Sequence, residues 1–325
     1  MNPTRRLFAL GAIACAALAA TGTALAQFPD KPLRIVVGAP AGGTADIVAR
    51  TLSEGLAQQL GQPVMVDNKP GGAGLIGLQE VLKAPRDGHT VLVSVNGIVS
   101  EIPHAMKLPV DPMKELRPVA EIARTGLLFV AGPNVPASNL KEAIAYVKAN
   151  PGKVNYGSYS PGTLSHTLGL ELNKLAGTDM VHVGYKGSPP ALTDLIGGHV
   201  SFMFDGPATS IPMIKGGKIK VFATTAPARL SMLPDVPTFA ELGYKDLTET
   251  AWMGLFTTRD VPEAVQARLR DDVLKVLAQH TVRQRFTALG LDMAPPASPD
   301  ELVRSLRAAS DRQAATLKAV GFKPE

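Results

Sequence analysis

Twice in this chain a short β-branched or apolar run ends in a glycine-rich loop that opens straight into a helical pattern. Leu33 to Val37 (LRIVV) meets Gly38–Asp46 (GAPAGGTAD), and Val154 to Tyr156 meets Gly157–His166 (GSYSPGTLSH). A strand that feeds a helix through a tight turn is the repeating unit of α/β folds, in which helices pack on a largely parallel sheet. Around the first loop the unit repeats. Ala45, Val48, Leu52, Leu56 and Leu60 recur every three or four residues, the spacing of one helix face. Gln62 to Asp67 reads as a second strand, and Thr90 to Val95 as a third. Around the second loop, strands are expected at Leu127 to Ala131, Met180 to Val183, Val200 to Phe204 and Lys218 to Thr224, with helices at Leu140 to Ala149, Thr163 to Leu175 and Pro190 to Ile196. From Val261 onward the pattern is mostly helical. The 325 residues leave room for two such units. The order predicts one α/β lobe from residues 27–126 and 227–325, and a second lobe, 127–226, inserted into it.

The two loops carry the same chemistry. A glycine turn exposes backbone N–H groups, and the helix start behind it adds a partial positive charge, so each is a place for a phosphate or carboxylate. The second loop adds the hydroxyls of Ser158, Tyr159, Ser160, Thr163 and Ser165. A third glycine loop, Gly71 to Gly77 (GGAGLIG), contains the spacing of a dinucleotide fingerprint. The next strand, however, ends in Asn96, where a ribose-binding acid is expected, so the loop reads as a packed helix entry. A nucleophilic serine paired with His166 is a competing reading, but the G-x-S-x-G elbow is absent. The six histidines form no metal-binding pair, and neither a metal nor a cofactor is expected.

The N-terminus reads as an export signal. Arg5 and Arg6 precede an uncharged, alanine-rich stretch from Leu7 to Ala20, and Ala24-Leu25-Ala26 is a cleavage site. Residues 1–26 are therefore expected to be removed after Ala26, leaving a periplasmic protein. The only cysteine, Cys15, lies in that leader, so disulfides and thiolate chemistry are excluded from the rest. Without the two leader arginines, 31 cations face 28 anions with no block of like charge. Aromatic residues are 5 %, with a single Trp, which argues against a stacking platform for nucleic acid. Hydrophobic residues are 45 % and charged ones 19 %, enough to build a core.

Taken in order, GAPAGGTAD, NKPGGAG, PVDPMKELRPVAEIA, NPGKVNYGSYSPGTLSH, VGYKGSPPALTDLIGGHVSFMFD, LPDVPTFAELG and the Trp-Met-Gly-Leu segment resemble one family over nearly the whole chain from Pro29. It is similar to the extracytoplasmic solute-binding proteins of tripartite tricarboxylate transporters, the Bug family. The resemblance implies a type II periplasmic binding-protein fold: two α/β lobes that close on a ligand lying in the cleft between them. It implies a small carboxylate as ligand, namely a di- or tricarboxylate, an acidic amino acid or an aromatic acid. It also implies membrane transporter subunits as partners, a monomer, and no catalysis. By motif match, the binding residues are Ala41, Gly42, Gly43, Thr44 and Asp46 from the first loop. From the second they are Ser158, Pro161, Gly162, Thr163, Ser165 and His166, with Asp205 on the cleft wall and Asn96 as a polar cleft residue. Here Tyr159-Ser160-Pro161 replaces the small residues usual in the second loop. Two alternatives keep the same chain: a sensor presenting its closed form to a membrane kinase, and a periplasmic hydrolase using Ser158 or Ser160 with His166.

Overall fold

A computed structural model describes residues 28–324, so the expected leader lies outside the described residues. Two five-stranded sheets organise the chain. The first contains β1 (Leu33–Val37), β2 (Val64–Asn68), β3 (Thr90–Val95), β4 (Leu116–Thr125) and β10 (Ala251–Thr258), in the order β2-β1-β3-β10-β4. The second contains β5 (Leu128–Ala131), β6 (Asn155–Ser158), β7 (Val181–Gly184), β8 (Phe202–Asp205) and β9 (Lys220–Thr224), in the order β7-β6-β8-β5-β9.

The sheets are topological copies. In each, three strands run parallel: β1 with β2 and β3, and β6 with β7 and β8. The fourth is antiparallel to both its neighbours: β10 to β3 and β4, and β5 to β8 and β9. Four of the five strands in each sheet therefore run the same way, as expected of a largely parallel sheet, and the one reversed strand follows from the route of the chain. Both β5 and β10 enter from the other lobe, at the end where the parallel strands finish, so they must run backward.

The helices are α1 (Thr44–Leu60), α2 (Leu75–Lys83), the short α3 (Gly97–Ser100), α4 (Ile102–Ala105) and α5 (Pro112–Glu115), then α6 (Leu140–Ala149), α7 (Leu164–Ala176), α8 (Ser188–Gly197), α9 (Pro207–Lys215), α10 (Glu263–Ala278), α11 (His280–Ala288) and α12 (Pro299–Ala319). They cover both faces of the sheets. On one face of the first sheet, Leu33, Ile35 and Val37 pack with Leu52 and Leu56 of α1 and with Leu269 and Val273 of α10. On the other, Val36 and Leu92 meet Leu78 of α2, Trp252, and Leu306 of α12. The second sheet does the same, with Phe129, Phe202 and Phe204 facing Leu168 and Leu172 of α7, and Val130 and Met203 facing Ala191 and Leu195 of α8. Strands buried on both faces read as continuous apolar runs, which is why LRIVV and TVLVSV stand out in the sequence.

The chain crosses between the sheets at Thr125–Leu128 and again before β10. Between β9 and β10, Phe239 and Leu247 still pack in the second core, and Phe239 donates its amide hydrogen to Thr224 O at 2.9 Å. The return to the first sheet therefore comes near residue 250, later than the residue 227 expected from sequence. Thr225 ties the crossings together: its hydroxyl accepts from the Leu127 amide at 2.9 Å and donates to Glu249 O at 2.7 Å. Gly126 lies so close to Ala226 that a Cβ there would sit 2.2 Å from the Ala226 nitrogen. Helix α12 bridges both sheets, since Gln313 donates to Gly162 O at 3.3 Å and Thr316 to Glu171 Oε1 at 3.1 Å. No helix among the described residues is long and apolar enough to cross a membrane.

Candidate functional site

All the parallel strands of both sheets end on one cleft, of about 180 Å³, between the two units. Its walls are the six turns after β1, β2, β3, β6, β7 and β8, including Pro40, Gly43, Thr44, Gly71–Gly74, Gly97, Tyr159, Ser160, Thr163, Lys186, Gly187 and Gly206. In open α/β sheets the carboxyl ends of the strands, where strand order reverses, are where ligands sit. Here two such edges face each other.

The loops after β1 and β6 are conformational copies. Gly42 has φ 79° and Gly162 φ 80°, the left-handed region that favours glycine. The next residues, Gly43 and Thr163, are extended N-caps, with φ −76° and −72°. Gly43 donates to Pro40 O at 3.2 Å, and Thr163 to Ser160 O at 3.4 Å. The left-handed glycines donate to side chains four residues ahead: Gly42 to Asp46 Oδ2 at 2.9 Å, and Gly162 to His166 Nδ1 at 3.0 Å. Asp46 and His166 therefore hold the loops from behind. Burial works to raise the Asp46 carboxyl, but the bonds from Arg50 and the Gly42 amide outweigh it and hold it below the usual carboxylate range. Burial, and then the charge of His182, push His166 down to about 3, so the ring is neutral with its proton on Nε2.

Each predicted residue can now be placed. Gly43, Thr44 and Thr163 line the cleft. Ala41 and Gly42 lie at the exposed outer bend of the first loop. Pro161 and Gly162 form the corresponding bend of the second, with Gly162 against Ala105 of α4. Ser165 is fully buried, donating to Phe204 O at 2.6 Å. Ser158 is also buried, and its hydroxyl pairs with His182 Nε2 at 2.6 Å rather than with His166. The serine–histidine pair expected for a hydrolase is not formed, because the Nδ1 of His166 is taken by Gly162. Asn96 extends the β3–β10 pairing, accepting from the Trp252 amide at 3.0 Å and donating to Ser100 at 3.2 Å. Asp205 is fully buried and accepts from Tyr159 (2.9 Å), Thr209 (2.7 Å) and Ser210 (2.5 Å), while burial raises its carboxyl. It fixes Tyr159, whose hydroxyl also accepts from the Gly206 amide at 2.7 Å.

Other cleft residues were not among the expected site residues. Tyr159 lies in GSYSPGTLSH and Lys186 in VGYKGSPPALTDLIGG, but neither had been assigned to the site. Gly71–Gly74 had been assigned to packing, although Gly38 and Gly77 do pack there, a Cβ at Gly77 meeting Gly38 Cα at 2.8 Å. Glu101, between α3 and α4, is only 8 % exposed, and its Oε2 accepts from the Leu164 amide at the start of α7, at 2.8 Å. Burial pushes its carboxyl up to about 7, against the pull of the Leu164 N–H and with the help of the Glu249 charge. By contrast, the amides of Thr44 and Ala45 at the start of α1 have no acceptor among the described residues. The cleft thus offers unclaimed donors at the start of α1, apolar walls from Val95, Ile98, Leu127, Leu164 and Met253, and one cation, Lys186.

The family described as tripartite tricarboxylate transporter family receptor matches residues 48–322. The periplasmic binding protein BugD is 31 % identical, with a TM-score of 0.85 over 92 % of this chain and 100 % of that one. A Rhodopseudomonas palustris protein, MatC, with bound malate is 32 % identical, with a TM-score of 0.82 over 89 % of this chain and all of that one. An R. palustris protein with adipate is 28 % identical, with a TM-score of 0.88 over 92 % and 100 %.

Proposed function

Because the chain belongs to the tripartite tricarboxylate transporter receptor family, the periplasmic solute-binding proteins of Bug type, we propose that it captures a small carboxylate between its two lobes and delivers it to a membrane transporter of that type. The observation that carries this reading is the free helix start at Thr44 and Ala45 opening on a cleft walled by both sheets. An anion there gains two backbone N–H groups and the helix field without needing a buried cation. Thr163 and Tyr159 face it from the other lobe, and Asp46, His166 and Asp205 hold those contacts in place. Malate and adipate in the cited structures of similar proteins support a carboxylate for this chain as well. The lobes are taken to hinge at Thr125–Leu128 and near Glu249–Ala251, with Thr225 as the pivot contact.

A thermal-shift screen of small acids at neutral pH tests the proposal, since a ligand at 100 times its Kd stabilises by about 2.7 kcal/mol. At least one acid raises the melting temperature while neutral sugars do not. A screen in which sugars or amines shift it and no acid does contradicts the proposal.

A further inference from the structure

Glu101 is a carboxylate of the chain lying where a ligand carboxylate would be expected. The two pincer loops superimpose residue for residue in their bonding, so Leu164 is the counterpart of Thr44. The Thr44 amide is free, whereas the Leu164 amide is held by Glu101 Oε2 at 2.8 Å. The position is built for this side chain: a Cβ on Gly97 would stand 2.5 Å from Oε2 and 2.9 Å from Oε1, so only glycine there admits the carboxylate. Oε1 has no hydrogen-bond donor among the described residues, and Glu101 lines the cleft.

From this geometry we propose that Glu101 selects the ligand. Its carboxylate fills the anion position at the start of α7, so the bound acid carries a hydrogen-bond donor at that end, an ammonium foremost, and not a second carboxylate. The inference rests on the carboxylate-binding reading above and sharpens it. A second ligand carboxylate would meet Glu101 as a like charge in a site that water barely reaches, with Glu249 adding to the same sign. An ammonium would instead donate to Oε1 in a charge-assisted bond, about twice as strong as a neutral one. Ile98, Leu127, Leu164 and Met253, which also line the cleft, suit a short hydrocarbon body. The ligand class is thus a carboxylate with an apolar chain and a terminal or near-terminal amino group, unlike the dicarboxylates malate and adipate of the similar structures.

Calorimetry of the full mature protein with matched series tests this. The probes are straight-chain dicarboxylates of three to six carbons and the ω-amino acids of the same lengths, titrated into wild type and Glu101→Gln at about pH 8, above the range in which a raised carboxyl holds its proton. The best amino acid binds wild type at least about tenfold more tightly than any dicarboxylate. In Glu101→Gln that preference disappears or reverses. A dicarboxylate bound by wild type as tightly as its amino partner overturns the inference, and so does a preference that survives the substitution. The wild-type ratio stands even where the variant folds poorly. If no acid of either series, and no simple monocarboxylate, binds at all, it is the carboxylate reading that fails, and this inference falls with it.

Discussion

Gly162 donates its amide hydrogen to Nδ1 of His166, 3.0 Å away, and the other lobe repeats the bond between Gly42 and Asp46 at 2.9 Å. A histidine and an aspartate do the same work because the loop needs only an acceptor four residues past a left-handed glycine. The pincer is therefore one local structure used twice, at matching points of two sheets with the same topology.

The two glycines differ in what surrounds them. At Gly42 a Cβ meets nothing within 4 Å, so Gly42→Ala costs only the left-handed backbone penalty, about 1–2 kcal/mol. At Gly162 a Cβ would lie 2.0 Å from the Ala105 Cβ of the other lobe. Gly162→Ala is expected to weaken carboxylate binding as well, by forcing the lobes apart. Chemical denaturation and calorimetry on both variants check this; equal effects of the two on binding would contradict it.

Gly43→Val tests the first loop directly. Its Cβ sits 3.2 Å from Pro40 O and 3.7 Å from Pro189 Cδ of the facing lobe, so the two added methyl groups must enter the cleft or distort the loop. Affinity for an acid found in a screen is expected to fall at least about tenfold, with an unchanged circular dichroism spectrum, because a misplaced helix start loses its anion contacts. Wild-type affinity in the variant would remove this loop from the site.

The pH dependence of stability has two opposed parts. His166 and His182 are pushed below their ordinary value of 6.5, to about 3 and about 4, chiefly by burial. The unfolded chain then binds protons first, so their contribution is full above about pH 6.5 and is lost as pH falls toward 4. Glu101 is raised from 4.5 to about 7, so the folded state holds the proton more tightly, and its contribution is lost as pH rises through that range. Urea denaturation between pH 5 and pH 8 separates them. Relative to wild type, Glu101→Gln gains stability as pH rises, while His166→Asn loses less on acidification. A pH slope unchanged in both would contradict the assignment.

Thr225 is the most sensitive point of the crossings. Thr225→Val keeps the shape but leaves the buried Leu127 amide and Glu249 carbonyl without their side-chain partner. The expected cost is about 1–3 kcal/mol, read as a lower melting temperature. A change within about 0.5 kcal/mol, the range of an ordinary surface substitution, would mean that water replaces the hydroxyl there.

The sequence made the parallel strands legible because strands such as LRIVV and TVLVSV, covered on both faces, show uninterrupted apolar runs. It hid β4 and β10 for different reasons. In β4, Pro118 and three charged residues look like a loop, and the pattern makes sense only once the strand is placed at the sheet edge, where a missing N–H costs little. In β10, Gly254 and the two terminal threonines interrupt the apolar run that otherwise marks a strand buried on both faces. The pincer loops were visible because left-handed turns demand glycine. Which side chains face the cleft was not: Asp46, His166 and Asp205 point into the loops they support, and Glu101 gains its meaning only from Leu164, brought to it by the fold.

The central claim is that the cleft reads a negative charge through neutral donors. Isothermal calorimetry at neutral pH, with propionate, pentanoate, benzoate, 5-aminopentanoate and malate each set against its primary amide, tests it most directly. At least one acid is expected to bind about tenfold or more tightly than its amide, because the N–H groups of Thr44 and Ala45 hold a charged acceptor more strongly than a neutral one. Equal affinity for an acid and its amide would mean that the cleft recognises shape alone, and would contradict the account.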